Sequence, residues 1–271
     1  MMPVGFIANK KDLSLKLEAL ENAAGDTGVI VFQADEEHLT TENSDLSAFL
    51  QQCSITVIGT GACRNEEVVI QAIKKSTYVF LDFYEPIPEK FLQKIRKYHE
   101  EAGNYIAFNM APFLMLNKQL GENPTDFQHI QVFSIRQHTD MNHQAYAYLI
   151  YASGILLGNN VKHSYHIIPN RHFQPELMVL DIYSLRGTYM HFTIGLNHDE
   201  QLKCLTFGTG GIHEYQINDR NLFNDNDSLK TQLDALTNKR PVGNLYNALM
   251  VSEFLTKLNA VAEKSGIFFE H

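Results

Sequence analysis

The segment SITVIGTGACRNEEVVIQAIKKSTYVFLDF, residues 54–83, contains two apolar runs separated by a stretch with helical spacing. Residues 54–61 read as a buried strand whose Gly59 and Gly61 open a turn, and residues 77–83 read as a second buried strand. Between them, residues 66–75 carry apolar side chains at the spacing of a helix. Strand, helix and strand in this order predict parallel pairing of the two strands with a right-handed crossover.

The same alternation of strand and helix patterns covers the first 110 residues of the chain. Further strands are predicted at 3–8, 28–34 and 104–109, and further helices at 12–24, 45–52 and 88–101. The pattern therefore predicts an α/β domain over residues 1–112 with a doubly wound parallel sheet. In such sheets ligands bind at the C-terminal ends of the strands.

The pattern changes after residue 112, where strands with period-two alternation become frequent. The strings KHSYHIIPN, ELMVLDIYSLR, TYMHFTIGLNH and QLKCLTFGT read as strands, and residues 141–157 read as a helix. The cluster of Asn and Asp at 218–227 is predicted to be a loop, and a long helix at about 245–265 closes the chain. We expect residues 113–271 to form an α+β domain with a largely antiparallel or mixed sheet.

Composition limits the class of protein. The net charge of −9 argues against nucleic-acid binding, because phosphate binding needs clustered Lys and Arg. No run reaches the roughly 18 to 20 apolar residues of a membrane span. The chain has three cysteines, an odd number with no close pair, which indicates a reducing compartment. We therefore expect a cytoplasmic protein that binds neither nucleic acid nor membrane.

Several strings, taken in order, resemble the Gfo/Idh/MocA oxidoreductases. Residues 54–83 look like the third and fourth strands of that family with the helix between them. Strings similar to later family elements are YIAFNMAPFL (105–114), AYAYLIYASGILLGN (145–159), LTFGTGGIHEYQI (205–217) and ALMVSEFLTKLNAVAEKSGIFF (248–269). The resemblance covers nearly the whole chain, which is shorter than a typical member. It implies a Rossmann-like dinucleotide-binding domain, a C-terminal α+β domain and NAD(P)-dependent oxidation of a sugar or polyol.

The glycine-rich turn that binds the pyrophosphate in this family falls on GFIANKKDL, residues 5–13. Its three glycine positions carry Ala8, Lys10 and Leu13, whose bulk obstructs the close approach of a pyrophosphate to the backbone. Lys10 could attract a phosphate by charge, but a solvated helix start is the reading we favour. By position alone, the resemblance assigns cofactor contacts to Ala8, Asn9, Lys10, Asp35 (after the second strand), Thr60 and Gly61.

The stretch VFLDFYEPIP, residues 79–88, covers the strand end where the family carries Glu-Lys-Pro. One register places Asp82 at the glutamate and Phe83 at the lysine. A register with two inserted residues aligns Glu85 with the glutamate, and the lysine is missing there too. The strand end is therefore predicted to lack the lysine that contacts cofactor and substrate in the family.

The Asp-x-x-x-His element of the family falls on Gln144 and Tyr148. Tyr148 is the best remaining candidate for a general acid, and Tyr151 lies one turn further on the same helix face. The alternative, which we favour, is that Tyr146, Tyr148 and Tyr151 are aromatic residues that pack between the two domains. His163 and His166 are three residues apart on a predicted strand and would face opposite sides, so we predict no metal site.

Two functions remain open from the sequence. The first is a diverged, non-catalytic binding or regulatory protein, which more readily explains the loss of glycines, lysine and histidine together; NAD or NADP would then not bind. The alternative is an active NAD(P)-dependent oxidoreductase for a sugar-like ligand, with Tyr148, Glu85 and Asp82 as catalytic residues. Its substrate cleft would include Tyr84, Asn109 and Tyr151.

The resemblance implies a homodimer, because the outer face of the C-terminal sheet commonly forms a dimer in this family. In the strand ELMVLDIYSLR, Val179, Asp181 and Tyr183 alternate with Leu180, Ile182 and Ser184, so both faces of the sheet are partly apolar. Such a sheet is suited to helices on one face and a partner on the other. Tyrosines that face solvent would give the same pattern.

Overall fold

The computed structural model describes residues 3–34, 44–83, 87–120, 127–136, 141–156, 161–169, 175–185, 187–196, 201–208, 211–216 and 226–265. The chain divides into two compact units. The first unit comprises Met1–Ala111 and Phe223–Leu249, and the second comprises Pro112–Leu222 and Met250–His271. A stretch from the C-terminal half thus belongs to the first unit, although the boundary predicted at residue 112 assigns it to the second domain.

The first unit is built on a five-stranded sheet. Its strands β1 to β5 span Val4–Ala8, Val29–Gln33, Ile55–Ile58, Tyr78–Leu81 and Tyr105–Phe108. Between them lie α1 (Lys10–Ala24), a 3-10 helix (Gly25–Thr27), α2 (Ser44–Gln51), α3 (Thr60–Cys63), α4 (Glu66–Lys75) and α5 (Glu89–Ala102). All neighbouring strands are parallel, in the order β2-β1-β3-β4-β5. The predicted parallel, doubly wound sheet is confirmed.

Alternate side chains of these strands pack on opposite faces of the sheet. Ile7, Ile58 and Leu81 pack on the face covered by α2, α4 and α5. Phe6 and Phe80 pack on the other face, which α1 covers. Because both faces are buried, the polar side chains that follow the strands gather at the C-terminal edge of the sheet.

A helix that was not predicted completes the α1 face. Helix α8 spans Asn226–Thr237, and its Leu229, Leu233 and Leu236 join the same core as Phe6. The Asn- and Asp-rich sequence of residues 218–227 predicts a loop. The helical spacing of the three leucines comes directly after that stretch and was not recognised as a helix. The last helix, α9, spans Leu245–Lys264.

The second unit is built on a six-stranded mixed sheet. Helix α6 (Ala111–Leu120) leads from the first unit, and helix α7 (Met141–Leu156) lies between the first two strands of this sheet. Strands β6 to β11 span Phe127–Arg136, Val161–Pro169, Pro175–Ser184, Tyr189–Leu196, Gln201–Gly208 and Gly211–Gln216. Their order is β11-β10-β6-β9-β8-β7; β6 and β9 are parallel and the other pairs are antiparallel. The predicted mixed sheet is confirmed.

One face of the second sheet is covered by α7 and buried. The other face, which we call the open face, is more exposed to solvent. Leu180 and Ile182 of β8 and Phe192 of β9 are fully buried on the face that α7 covers. The alternate residues Asp181 and Tyr183 point to the opposite face and are partly or largely exposed.

Among the helices of the described ranges, none is long and apolar enough to cross a membrane.

Candidate functional site

Strands β1 and β3 pair with each other at the point where the strand order of the first sheet reverses. From there, β2 extends the sheet on the side of β1, and β4 and β5 extend it on the side of β3. In open α/β sheets the crevice at such a reversal, outside the C-terminal strand ends, is where ligands bind. Here the crevice lies between the turn from β1 to α1 and the turn from β3 to α3. The residues of these two turns therefore decide what the crevice can hold.

In the turn after β1, a side chain of the turn itself forms a hydrogen bond with the backbone at the start of α1. Ala8 is buried at the end of β1, and Asn9 is the N-cap of α1, with its Oδ1 accepting the backbone N–H of Asp12 at 2.8 Å. An N-cap of this kind satisfies one of the N–H groups that a helix start otherwise offers to an anion. Lys10 is exposed.

Asp12 bridges the two turns. Its Oδ2 accepts the backbone N–H of Gly61 at 3.0 Å, and the residue is only 7% exposed. A methyl group added at Gly61 would lie 1.8 Å from Nδ2 of Asn9, and one added at Gly59 would lie 2.7 Å from Oδ2 of Asp12. The two glycines are therefore needed for the packing of Asn9 and Asp12 against the second turn.

Asp82, which directly follows β4, forms a buried ion pair with Lys16 of α1. Lys16 Nζ lies 3.1 Å from Asp82 Oδ2, with 7% and 2% of the two side chains exposed. Asn109, which follows β5, donates its Nδ2 hydrogen to Asp82 Oδ1 at 2.6 Å. Thr60 donates its hydroxyl to the backbone carbonyl of Asp82 at 2.6 Å. A cation thus lies beside the end of β4, but it comes from α1 and is paired.

Helix α8 extends this polar network. Gln232 donates from Nε2 to Asn109 Oδ1 at 3.3 Å, and its Oε1 accepts the backbone N–H of Met110 at 2.6 Å. Asn109 Oδ1 also accepts the backbone N–H of Ala111 at 2.8 Å. The side chains of Lys16, Asp82, Asn109 and Gln232 therefore form one continuous buried network, which we call the edge network.

Burial dominates the electrostatics of this edge. It raises the pKa of the Asp82 carboxyl, an effect that the charge of Lys16 and the hydrogen bonds from Lys16 and Asn109 offset in part. Burial also raises the pKa of the Cys63 thiol, and the nearby Asp82 and Asp12 raise it further. Cys63 donates its S–H to the carbonyl of Ile58 at 3.1 Å, so it is a structural rather than a reactive thiol.

The candidate acid Tyr148 and its neighbour Tyr151 lie in the second unit, on the face of α7 that packs against the sheet. Both are fully buried. The ring of Tyr148 stacks on Phe192 with 5.3 Å between centroids, and Tyr151 lies 6.3 Å from Phe113. Burial raises the pKa of Tyr151 well above its ordinary value. Both rings contribute to the core of the second unit, and their role as acids stays a prediction.

The structure brings some of the predicted site residues together and does not describe others. Ala8, Asn9, Thr60 and Gly61 meet at the crevice, and Asp82 contacts Asn109. Asp35, Tyr84 and Glu85 lie outside the described residues.

Three residues of the crevice and edge network, Asp12, Lys16 and Gln232, were not predicted. Lys16 carried a usable signal, because it lies three residues after Leu13 and four before Leu20 on the apolar stripe of α1.

Comparison with known proteins relates this architecture to solved structures. No family model and no curated protein matches the sequence. A protein of Thermotoga maritima described as a probable dehydrogenase superposes with a TM-score of 0.71 at 11% identity, covering 97% of each chain. UDP-N-acetylglucosamine 3-dehydrogenase GnnA from Acidithiobacillus ferrooxidans gives 0.67 at 13% identity, covering 97% of this chain and 98% of that chain.

A third structure is myo-inositol dehydrogenase from Lactobacillus casei in complex with NAD(H) and myo-inositol. It gives a TM-score of 0.69 at 13% identity and covers 98% of this chain and 96% of that chain. The chain has the fold of the Gfo/Idh/MocA-type dehydrogenases. The resemblance expected from the sequence strings is confirmed for the fold, over nearly the whole chain.

Proposed function

We propose that this protein is a non-redox member of the dehydrogenase fold, which acts by binding or regulation rather than by hydride transfer. The observation that supports this most directly is the carboxylate of Asp12 in the crevice, where it accepts the N–H of Gly61. That position corresponds to the region where a dinucleotide crosses the strand-order reversal in this class of sheet. A fixed anion there opposes a pyrophosphate.

The residues present do not fit NAD(H). A pyrophosphate is held by free N–H groups at a helix start and by glycines that let the backbone approach it. Here Asn9 accepts a backbone N–H of the first turn, and Asp12 accepts one of the second turn. Their side chains also fill the space beside Gly59 and Gly61.

The edge network supports the same conclusion. A general acid or base must be within hydrogen-bond reach of the reacting group. Asp82 is 2% exposed and engaged by Lys16 and Asn109, and Lys16 is buried with it. Their side chains stabilise the edge of the sheet and are not presented to a ligand.

The test is a titration with NADH and with NADPH, followed by thermal denaturation and by the fluorescence of the cofactor. The chain contains no tryptophan, so the cofactor signal is read directly. A bound cofactor at about 100 times its dissociation constant would stabilise the fold by roughly 2.7 kcal/mol. That corresponds to a rise in Tm of about 5 to 10 °C for a chain of this size.

We expect no saturable change with either cofactor. The double variant Asn9→Gly/Asp12→Gly is the matched comparison, because it removes the cap and the anion together. A saturable rise in the wild-type Tm would overturn the proposal and revive the alternative of an active oxidoreductase.

That alternative is an NAD(P)-dependent enzyme for a sugar or polyol, with Tyr148 as acid. The likeness to a myo-inositol dehydrogenase over nearly the whole chain supports a polyol as the ligand class, with or without redox chemistry. Under the alternative, Tyr148→Phe abolishes polyol-dependent reduction of NAD⁺ or NADP⁺, whereas the wild type shows it. Under our proposal, neither protein reduces a cofactor.

Free, buried Cys53, Cys63 and Cys204 support placement in the reducing cytoplasm.

We also propose a homodimer through the open face of the second sheet. Strand register places one residue from each of five neighbouring strands in a line across this face. We call this line the aromatic row; it consists of Tyr183, Tyr189, His129, Phe207 and Ile212. Tyr183 is 38% exposed and Ile212 is 69% exposed. The three residues between them are half-buried, and a continuous line of such side chains at the surface favours an interaction site.

The size and charge of this face support a second copy of the chain as the partner. Six strands of about eight residues cover on the order of 700 Å², close to the roughly 800 Å² that each partner buries in a standard interface. The acid of this face on β8, Asp181, is already engaged by Tyr189 and by His191, 2.8 Å away. The face therefore presents no uncompensated central charge to its own copy.

Light scattering after gel filtration tests the dimer. We expect a dimer at micromolar concentration and a monomer for Ile212→Asp, which places a charge in the aromatic row. Leu185→Asp is the matched control, because Leu185 is 64% exposed but lies outside the row, after β8. A monomeric wild type, or equal behaviour of both variants, contradicts the interface.

A further inference from the structure

His129 lies at the centre of the aromatic row. Its ring is stacked on Phe207 with 4.7 Å between centroids and lies 4.6 Å from Tyr189. Its Nε2 is buried, and no described residue forms a hydrogen bond with that atom. A histidine in this position is accommodated as the neutral ring, since a charged ring would bury an N–H group without an acceptor.

A second histidine in the next row is held differently. His191 lies opposite Asp181 in the strand register, with its Nδ1 2.8 Å from Asp181 Oδ1 and its Nε2 2.9 Å from Thr193 Oγ1. Tyr189 also donates its hydroxyl to Asp181. A positive charge on His191 is therefore balanced by an acid, whereas no acid of the described part of the chain forms a hydrogen bond with His129 Nε2.

This chain of Thr193, His191 and Asp181 resembles a hydrolytic triad but lacks the parts that make one catalytic. A triad needs N–H donors aimed at the oxyanion. Strand β9 is paired with β6 on one side and β8 on the other, so the N–H groups of its paired residues serve the two ladders. The hydrogen bonds among Thr193, His191 and Asp181 therefore hold these side chains in place on the open face.

We propose that protonation of His129 dissociates the homodimer, so that self-association through the aromatic row is sensitive to pH. This inference rests on the homodimer proposed above. A partner that covers the row removes the remaining water around the His129 ring, which further disfavours the charged form. A proton therefore binds more tightly to the monomer than to the dimer, and a fall in pH favours the monomer.

The surroundings of His129 support this sign. Burial lowers its pKa, and the nearby His191 lowers it further. The titratable and charged groups on the other strands of the open face are, among the described residues, Tyr183 and Asp181 on β8, Tyr189 and His191 on β9, Lys203 on β10, Glu214 on β11, and Lys162 and His166 on β7. Lys203 and Glu214 pair with each other at 2.8 Å, and Asp181 is engaged by His191 and Tyr189. No acid of this set is left to balance a charge on His129.

The experiment measures the dimer dissociation constant by sedimentation equilibrium between about pH 8 and pH 5.5, the range in which histidine titrates. Far-UV circular dichroism defines the part of this range in which the fold is constant, and only that part is used. We expect the dissociation constant to rise on the order of tenfold or more on acidification, because an unbalanced charge enters the interface. His129→Gln should dimerise with little dependence on pH.

His99→Gln is the matched control, because His99 lies on α5 in the first unit and forms a hydrogen bond with Asn104. It should retain the full pH dependence of the wild type. NMR of the histidine rings gives a direct readout, and the His129 signals should titrate at lower pH in the dimer than in dilute monomer.

A dimer with a constant dissociation constant overturns this inference and leaves the homodimer intact. A His129→Gln protein that keeps the wild-type pH dependence overturns it as well. A wild type that is monomeric at about pH 8 at high concentration overturns the homodimer itself, and with it the inference.

Discussion

Lys16 Nζ lies 3.1 Å from Asp82 Oδ2, in an ion pair with only 7% and 2% of the side chains exposed. The pair joins α1 to the end of β4 across 66 residues of sequence. Removing either partner of such a pair leaves the charge of the other one buried without compensation, which is strongly destabilising. Substitution of either partner should therefore destabilise the edge of the sheet.

Lys16→Met should destabilise the protein by about 3 to 5 kcal/mol at neutral pH, because Asp82 then remains buried without a cation. Urea denaturation followed by circular dichroism measures the free energy of unfolding. Lys11→Met is the control, since Lys11 is exposed on the same helix, and its effect should stay within about 0.5 kcal/mol. Equal effects of the two variants would show that the pair does not stabilise the edge of the sheet.

Asp82→Asn should change how stability depends on pH. Burial raises the pKa of Asp82 in the folded protein, so the folded state holds this proton more tightly than the unfolded chain. The stability from that proton is present at low pH and is lost as pH rises through the folded pKa. We expect the free energy of unfolding of the wild type to fall relative to Asp82→Asn as pH rises from about 4 to 7.

The check is urea denaturation of both proteins across that pH range. Asp234→Asn serves as the control for removing an acid from the surface, because Asp234 is exposed on α8. A wild type that gains stability over Asp82→Asn with rising pH would mean that the attraction of Lys16 outweighs the burial of Asp82.

Gly61→Ala and Asn9→Ala should be strongly non-additive. The new methyl group at residue 61 would lie 1.8 Å from Nδ2 of Asn9, which must then leave its position as the cap of α1. Each single variant should lose about 1 kcal/mol, the typical value of an N-cap. The double variant should lose about the same amount as one of them, since the cap can be lost only once. Additive losses would show that a methyl group at residue 61 does not displace the Asn9 side chain.

Tyr151→Phe should leave the protein as stable as the wild type or raise its stability by about 1 kcal/mol. The Tyr151 hydroxyl is buried and has no hydrogen-bond partner within the described part of the chain. Tyr246→Phe is the matched control, because Tyr246 is 67% exposed. A loss of more than about 1 kcal/mol in Tyr151→Phe alone would reveal a hydrogen bond to that hydroxyl.

The periodicity of the sequence was enough to predict both sheets. Apolar runs separated by helical spacing in residues 54–83 require a parallel crossover, and period-two alternation in β8 and β9 requires a sheet with one buried face. The missing glycines at Ala8, Lys10 and Leu13 were also visible, because the dinucleotide turn is a local motif. Such features depend on residues close together in the chain.

The contents of the crevice depended on the tertiary structure. Asp12 meets Gly61 across 49 residues, and Gln232 meets Asn109 across 123 residues. The Asn- and Asp-rich approach to α8 resembles a loop, so the helix that carries Gln232 could not be placed on the sheet before the fold was known. Local propensity and periodicity set which segments become strands and helices. Which polar side chains pair at the strand ends follows only from packing, because buried charges are stable only where a partner is brought to them.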